Sequence, residues 1–178
     1  MAPAPPHPVL PRLTLVLGGA RSGKSRHAEA LVTALPPPWT YVATAQAFDA
    51  EMTDRIAQHK ARRIEGWQTL ETTHDLAGLI RAHGDSGTPM LIDCLTLWLS
   101  NVMLADMDVP ARCAELIDAL RSANGPIVAV SNEVGLGIVP DNALARAFRD
   151  AQGRLNQDVA AVADRVILMA AGLPLTLK

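Results

Sequence analysis

Short apolar runs recur along the chain, separated by segments that are polar but periodic. LTLVLGG (13–19), WTYVATA (39–45), PMLIDCLT (89–96), IVAVSNEVG (127–135) and DRVILMAAG (164–172) are continuous, as strands buried on both faces are, and WQTLE (67–71) is a weaker case. PLTLK closes the chain soon after Gly172. So short a link predicts a final hairpin, and hence one antiparallel pair at the edge of a mostly parallel sheet.

Helical periodicity fills the gaps between these runs. Helices are predicted over 24–34, 49–64, 75–83, 110–123 and 141–163, and DCLTLWLSNVML (93–104) also begins a helix where the apolar run PMLID ends. Phe48, Met52 and Ile56 share one helical face, and Leu144, Phe148, Leu155, Val159 and Val162 form a stripe on the longest segment. Strands alternating with helices predict an α/β fold with helices on both faces of the sheet.

Composition narrows the function classes. Of 178 residues, 49% are apolar and only 3% aromatic, so the core is built from Leu, Val, Ile and Ala. The net charge of −2 gives no global basic character, which argues against a nucleic-acid partner. The apolar runs fall well short of the ~20 residues a membrane helix needs, so no membrane span is predicted. Cys94 and Cys113 lack metal-type spacing and read as buried free thiols of a cytoplasmic protein. The opening MAPAPPHPVLPR is Pro-rich without an apolar signal region. Residues 1–12 are therefore expected to be a disordered leader ahead of a single domain, 13–178.

The clearest chemistry lies in GGARSGKS (18–25), which fits G-x-x-x-x-G-K-[ST] with Gly18, Gly23, Lys24 and Ser25. It follows a buried strand and opens a helix, the context a phosphate-binding loop requires. Glycines let backbone N–H groups approach a phosphate, and the helix N-terminus adds partial positive charge. Lys24 would reach the β- and γ-phosphates, and the Ser25 hydroxyl would hold Mg²⁺. Asp93, at the end of the apolar run PMLID, stands where a second metal-site carboxylate belongs, or else it caps the following helix. Glu133, in SNEVG, ends another run and opens onto the same crevice. It is either an acid–base or substrate-orienting group, or a solvated strand-end carboxylate.

The segment DRIAQHKARR (54–63) places His59 among Arg55, Lys60, Arg62 and Arg63. Three readings stand side by side. His59 continues the apolar stripe of Met52 and Ile56, or it lies on a solvated cationic face, or it is a nucleophile. Helical spacing sets Arg55 at i−4, Arg62 at i+3 and Arg63 at i+4 from it. Such neighbours favour the neutral, nucleophilic imidazole and would offset charge growing on an attacked phosphate.

GGARSGKSRHAEAL, YVATAQAFDAEMTDRIAQHKARR, WQTLE, LIDCLTLWLSN and the stretch from VSNEVGLGIVP to the end together resemble one family. It is the bifunctional adenosylcobinamide kinase / adenosylcobinamide-phosphate guanylyltransferase family of cobalamin biosynthesis. The resemblance runs from about Leu13 to Lys178. It implies a RecA-like P-loop fold and a homotrimer. It also implies two reactions, phosphorylation of the corrinoid substrate adenosylcobinamide by ATP or GTP, then transfer of GMP from GTP through a guanylyl-histidine.

Carried onto this sequence, the resemblance makes His59 the guanylylated residue, beside Lys24 of the phosphate loop as the other catalytic residue, the clamp of the kinase step. Some members have two adjacent histidines there, but Gln58 precedes His59 here. The nucleotide-binding residues it implies are the loop Gly18, Gly19, Ala20, Arg21, Ser22, Gly23, Lys24 and Ser25. To these it adds Ala43, Thr44 and Ala45, then Lys60, Ala61, Arg62 and Arg63, and finally Glu71 and Asp93. Other members have Glu where Asp93 stands. A monofunctional P-loop kinase acting on another small alcohol, and a nucleotide-triggered binding protein, are the competing functional classes.

Overall fold

The computed structural model describes residues 9–45 and 65–178. Strand β1 spans Leu13–Gly18, β2 Trp39–Ala43, β3 Trp67–Glu71, β4 Met90–Asp93, β5 Ile127–Asn132, β6 Arg165–Ala170 and β7 Leu173–Thr176. They form one sheet in the order β3-β2-β4-β5-β1-β6-β7. Every pairing is parallel except β6 with β7. That antiparallel edge hairpin turns through Ala171 (φ 52°) and Gly172 (φ 80°). The predicted hairpin is thus present.

The helices are α1 (Lys24–Thr33), α2 (Leu76–His83), α3 (Leu95–Leu104), α4 (Val109–Ser122) and α5 (Ala143–Val162). Successive side chains of β1 divide between two cores, as a strand's period of two requires. Leu13, Leu15 and Leu17 pack with residues of α2, α3, α4 and α5 on one face. Val16 packs on the other, with Ala28 and Val32 of α1 and with Trp39, Tyr41 and Ile167. Helices therefore cover both faces, unequally among the described residues. The predicted helix at 49–64 lies outside those residues.

Two expectations are corrected. Leu144 does not join the buried stripe of α5 but is 60% exposed. The buried side of that helix instead carries Gln152, Leu155, Asn156 and Val159, at i, i+3, i+4 and i+7. Two of its core-facing positions are amides, which a hydrophobicity pattern does not register. The apolar runs also overshoot their strands at the carboxyl end. β4 stops at Asp93 and β5 at Asn132, where the chain leaves the sheet to build the site.

Arg12 fastens the start of β1 to the helical layer. Its guanidinium donates to the carbonyls of Leu120 (2.7 Å) and Val162 (2.8 Å), at the ends of α4 and α5, and lies 3.5 Å from Asp164. A cation on the last carbonyls of two helices satisfies acceptors that the helices themselves leave open.

Candidate nucleotide site at the carboxyl ends of the strands

The central strands point their carboxyl ends toward one rim, and the phosphate loop leaves β1 there. Gly18 has φ 152°, and a Cβ on it would sit 2.6 Å from both the Met169 carbonyl oxygen and Ser22 Oγ. Only glycine lets the chain turn so close to β6. The loop then passes through Gly19, Ala20 and Arg21 (φ 55°) to Ser22 and Gly23 (φ 96°), which caps α1 in the left-handed region. Ser22 N donates to the Gly19 carbonyl at 3.3 Å, and Gly172 N donates to the Ser22 carbonyl at 3.1 Å. The β6–β7 turn therefore braces the loop from outside.

Several polar groups are gathered at this loop. No side chain caps α1, so its first amides have no side-chain acceptor. Ser22 Oγ is buried without a partner among the described residues. Lys24 is buried, and its ammonium donates to the Gly19 carbonyl at 2.6 Å. Burial lowers its pKa, and the neighbouring Cys94 sulfur and Asp93 carboxylate pull it back up. Burial also pushes the Cys94 thiol up to about 12, so it is neutral near pH 7 and Asp93 is the formal charge facing Lys24. Ser25, in the first turn of α1, makes no side-chain hydrogen bond among the described residues.

The sheet register sets the acidic residues beside this loop. Ala43 at the end of β2 is level with Glu71 of β3 on one side and Asp93 of β4 on the other. Asp93 Oδ2 accepts from the Tyr41 hydroxyl at 2.8 Å. The N-cap of α3 is Cys94, so Asp93 is not the capping residue and the capping alternative is not what the fold uses. Thr44 is fully buried. Its hydroxyl donates to the Cys94 carbonyl (2.7 Å) and accepts from Cys94 N (2.9 Å). The Thr44 carbonyl in turn accepts from Asn101 Nδ2 at 2.7 Å. The Thr44 side chain thus ties the end of β2 to the start of α3, between the half-buried residues Ala43 and Ala45.

His59, Lys60, Ala61, Arg62 and Arg63, with Arg55, lie outside the described residues. Sequence reading missed what holds the rim rigid. Ser131 Oγ donates to Asn156 Oδ1 (2.6 Å) and accepts from Gln152 Nε2 (3.0 Å). Asn156 Nδ2 donates to the Asn132 carbonyl (3.0 Å), and Asn132 N donates to Thr96 Oγ1 (2.8 Å). The available signal was a pair of amides, Gln152 and Asn156, spaced i, i+4 along the face of α5 that carries Leu155 and Val159.

With this geometry in view, the comparisons are specific. The profile of the cobinamide kinase / cobinamide phosphate guanyltransferase family matches residues 14–177. The chain belongs to this family. It is 46% identical over 166 residues to the bifunctional adenosylcobalamin biosynthesis protein CobP of Pseudomonas aeruginosa, spanning 92% of this chain and 96% of that one. It is 41% identical over 181 residues to the protein CobU of Salmonella typhimurium, spanning 93% and 99%.

Solved structures that share the family's fold are more remote. The RadB recombinase superposes with a TM-score of 0.53 at 16% identity, covering 89% of this chain and 74% of that one. The flagellar accessory protein FlaH of Methanocaldococcus jannaschii gives 0.53 at 13% identity, covering 96% and 80%. At such identities the likeness is one of fold alone, the RecA-like P-loop NTPase fold.

Proposed function

We propose that this chain carries out both reactions for which its family is named, with residues 13–178 as the catalytic domain. In the first, the γ-phosphoryl group of ATP or GTP passes to the aminopropanol hydroxyl of adenosylcobinamide. In the second, His59 attacks the α-phosphorus of GTP and expels pyrophosphate. The phosphate of adenosylcobinamide-phosphate then displaces the histidine to give adenosylcobinamide-GDP, so two easier displacements replace one.

The kinase half is carried by one observation, the buried Lys24 whose ammonium is held on the Gly19 carbonyl inside a glycine loop that opens a helix without a side-chain cap. In this reading the γ-phosphoryl group takes Lys24 from the Gly19 carbonyl, and the uncapped amides of α1 hold the β-phosphate. Hard oxygen donors suit Mg²⁺, which supplies charge neutralisation across the phosphates and takes few protein ligands. Ser25 and Asp93 are the residues that would hold it, while Tyr41 orients the Asp93 carboxylate. Glu71, level with Asp93 across β2, would reach the nucleotide from the far side of the crevice.

The transferase half rests on family membership and on the sequence neighbours of His59, which are Arg55, Lys60, Arg62 and Arg63. The test is incubation with α-labelled GTP and Mg²⁺ alone. A protein-bound GMP that is labile in acid, stable in base and absent from His59→Ala is the expected result. An adduct on another residue overturns the role of His59, and the absence of any adduct overturns the transferase half.

Two further properties belong to this proposal. A homotrimer would cover apolar surface that one copy leaves open, including Leu136 and Ile138 in the loop after β5 and Leu173 and Leu175 on the edge strand. Light scattering on the purified protein reads the assembly directly. Cytoplasmic location fits two free cysteines. No helix among the described residues is long and apolar enough to cross a membrane.

A further inference from the structure

Glu133 stands at a different place in the crevice from the residues assigned above. β5 lies between β1, which carries the phosphate loop, and β4, which carries Asp93. Asp93 is level with Val130, and Gly18 is level with Asn132. Glu133 is therefore three residues beyond the level of Asp93, about 10 Å along the strand direction. That puts it at the outer lip of the crevice, beside the first residue of the loop. Its backbone bond to Gly18 sets Glu133 at the entry of the phosphate loop, on the side of the sheet rim beyond Asp93.

The backbone here is fixed on every side. Glu133 N donates to the Gly18 carbonyl at 3.0 Å. The preceding peptide groups are bound by Thr96 Oγ1 at Asn132 N and by Asn156 Nδ2 at the Asn132 carbonyl. Asn156 is itself held by Ser131 and Gln152. The carboxylate is set by one bond, Gly135 N to Oε1 at 2.9 Å. Among the described residues Oε2 has no partner and Glu133 forms no ion pair. A carboxylate that is pinned through its backbone, oriented through one oxygen and open at the other is preorganised to accept a proton.

Resting on the function proposed above, we infer that Glu133 is the general base of the kinase step. Oε2 accepts the proton of the acceptor hydroxyl as that oxygen bonds to the γ-phosphorus. The bond from the γ-phosphorus to the β–γ bridging oxygen breaks, and its electron pair leaves with the nucleoside diphosphate. The proton then passes from Glu133 to solvent. The second reaction needs no such base, because its acceptor is already an anionic phosphate and its nucleophile is an imidazole.

Glu133→Gln isolates this role, because the amide oxygen still accepts from Gly135 N while the side chain no longer takes a proton. Each reaction is assayed separately, the kinase with adenosylcobinamide and the transferase with adenosylcobinamide-phosphate and GTP. The kinase kcat should fall about 10²–10⁴-fold, the usual worth of a positioned general base, with KM for the acceptor little changed. Guanylyl transfer and thermal stability should stay at wild-type values. An undiminished kinase in Glu133→Gln beside an active wild type overturns the inference alone. Equal losses in both reactions also overturn it, and make Glu133 a brace of the loop. A wild type that phosphorylates no adenosylcobinamide overturns the underlying reading, and this inference with it.

Discussion

The ammonium of Lys24 donates to the carbonyl oxygen of Gly19 at 2.6 Å, so the phosphate loop is closed on its own lysine. A phosphate entering the loop offers a better acceptor, because its full negative charge attracts the ammonium more strongly than the dipole of a neutral carbonyl does. Lys24→Ala should therefore leave a folded protein whose kinase kcat is lower by about 10²–10³-fold, the usual cost of one oriented donor at a reacting anion. Steady-state assay of adenosylcobinamide phosphorylation, with circular dichroism as the folding control, reads both. Near-normal turnover would remove the phosphate loop from the mechanism.

Asp93 and Tyr41 make a second testable pair, joined at 2.8 Å. Asp93→Asn keeps an oxygen for the Tyr41 hydroxyl but loses the charge that faces Lys24 and would hold Mg²⁺. Because Cys94 and not Asp93 caps α3, no helix cap is lost. The Mg²⁺ concentration giving half-maximal kinase activity should rise several-fold. Tyr41→Phe keeps the charge but frees the carboxylate to rotate, so a smaller shift in the same direction is expected. Magnesium titrations of the three proteins check the order.

How much of this was legible in the sequence follows the range of the interactions. The phosphate loop reads from eight consecutive residues, because its chemistry is local. WQTLE coincides with β3, whose ends are marked by turn residues on one side and the polar stretch TTHD on the other. The end of β4 was overrun for a physical reason. Leu95 is fully buried in the first turn of α3, and burial alone does not separate the last residue of a strand from the first of a helix. The partners that fix the site lie far apart in the chain, 50 residues for Thr44 and Cys94 and 52 for Tyr41 and Asp93. No local pattern encodes such pairs. The helix predicted around His59 lies outside the described residues, so its cationic neighbours rest on sequence alone.

The cysteines predict an alkaline limit to stability. Burial pushes Cys94 up to about 12 and Cys113 up to about 11, with Asp93 and Asp158 adding to the respective effects. Well below pH 8 both thiols are protonated in the folded and unfolded chains, and neither contributes a slope. Above about pH 8 the unfolded chain loses these protons first, so stability should fall as pH rises from about 8 to about 12. Lys24 works the opposite way below its ordinary 10.5, since burial has lowered its pKa and the unfolded chain then binds more protons. Cys94→Ala should flatten the decline, as measured by urea titrations at stepped pH. The native thiols should also react slowly with thiol reagents at pH 8, and rapidly once the protein is unfolded.

Ser131 is fully buried and central to the amide network under the rim. Its hydroxyl both donates to Asn156 and accepts from Gln152, and Asn156 carries the fixed position of Asn132 one step further. Ser131→Ala removes both bonds at once, together with a longer contact to Thr96 Oγ1 at 3.5 Å. Gln152 and Asn156 keep their mutual bond at 2.9 Å, so neither amide is left wholly unpaired. The expected cost is about 1–3 kcal/mol, the range for buried polar groups losing a partner. In a domain of this length each kcal/mol lowers the melting temperature by about 2–4 °C. Because the network's remaining purpose is to hold the chain before Glu133, the kinase should lose more than guanylyl transfer does. The coupling is tested by adding Gln152→Leu. If Ser131 and Gln152 act as one unit, the double variant should be less destabilised than the sum of the singles, by about 0.5–3 kcal/mol. Additive losses would mean that the two residues stabilise the protein independently, and a Ser131→Ala protein within about 0.5 kcal/mol of wild type would mean that the network is not what holds the rim.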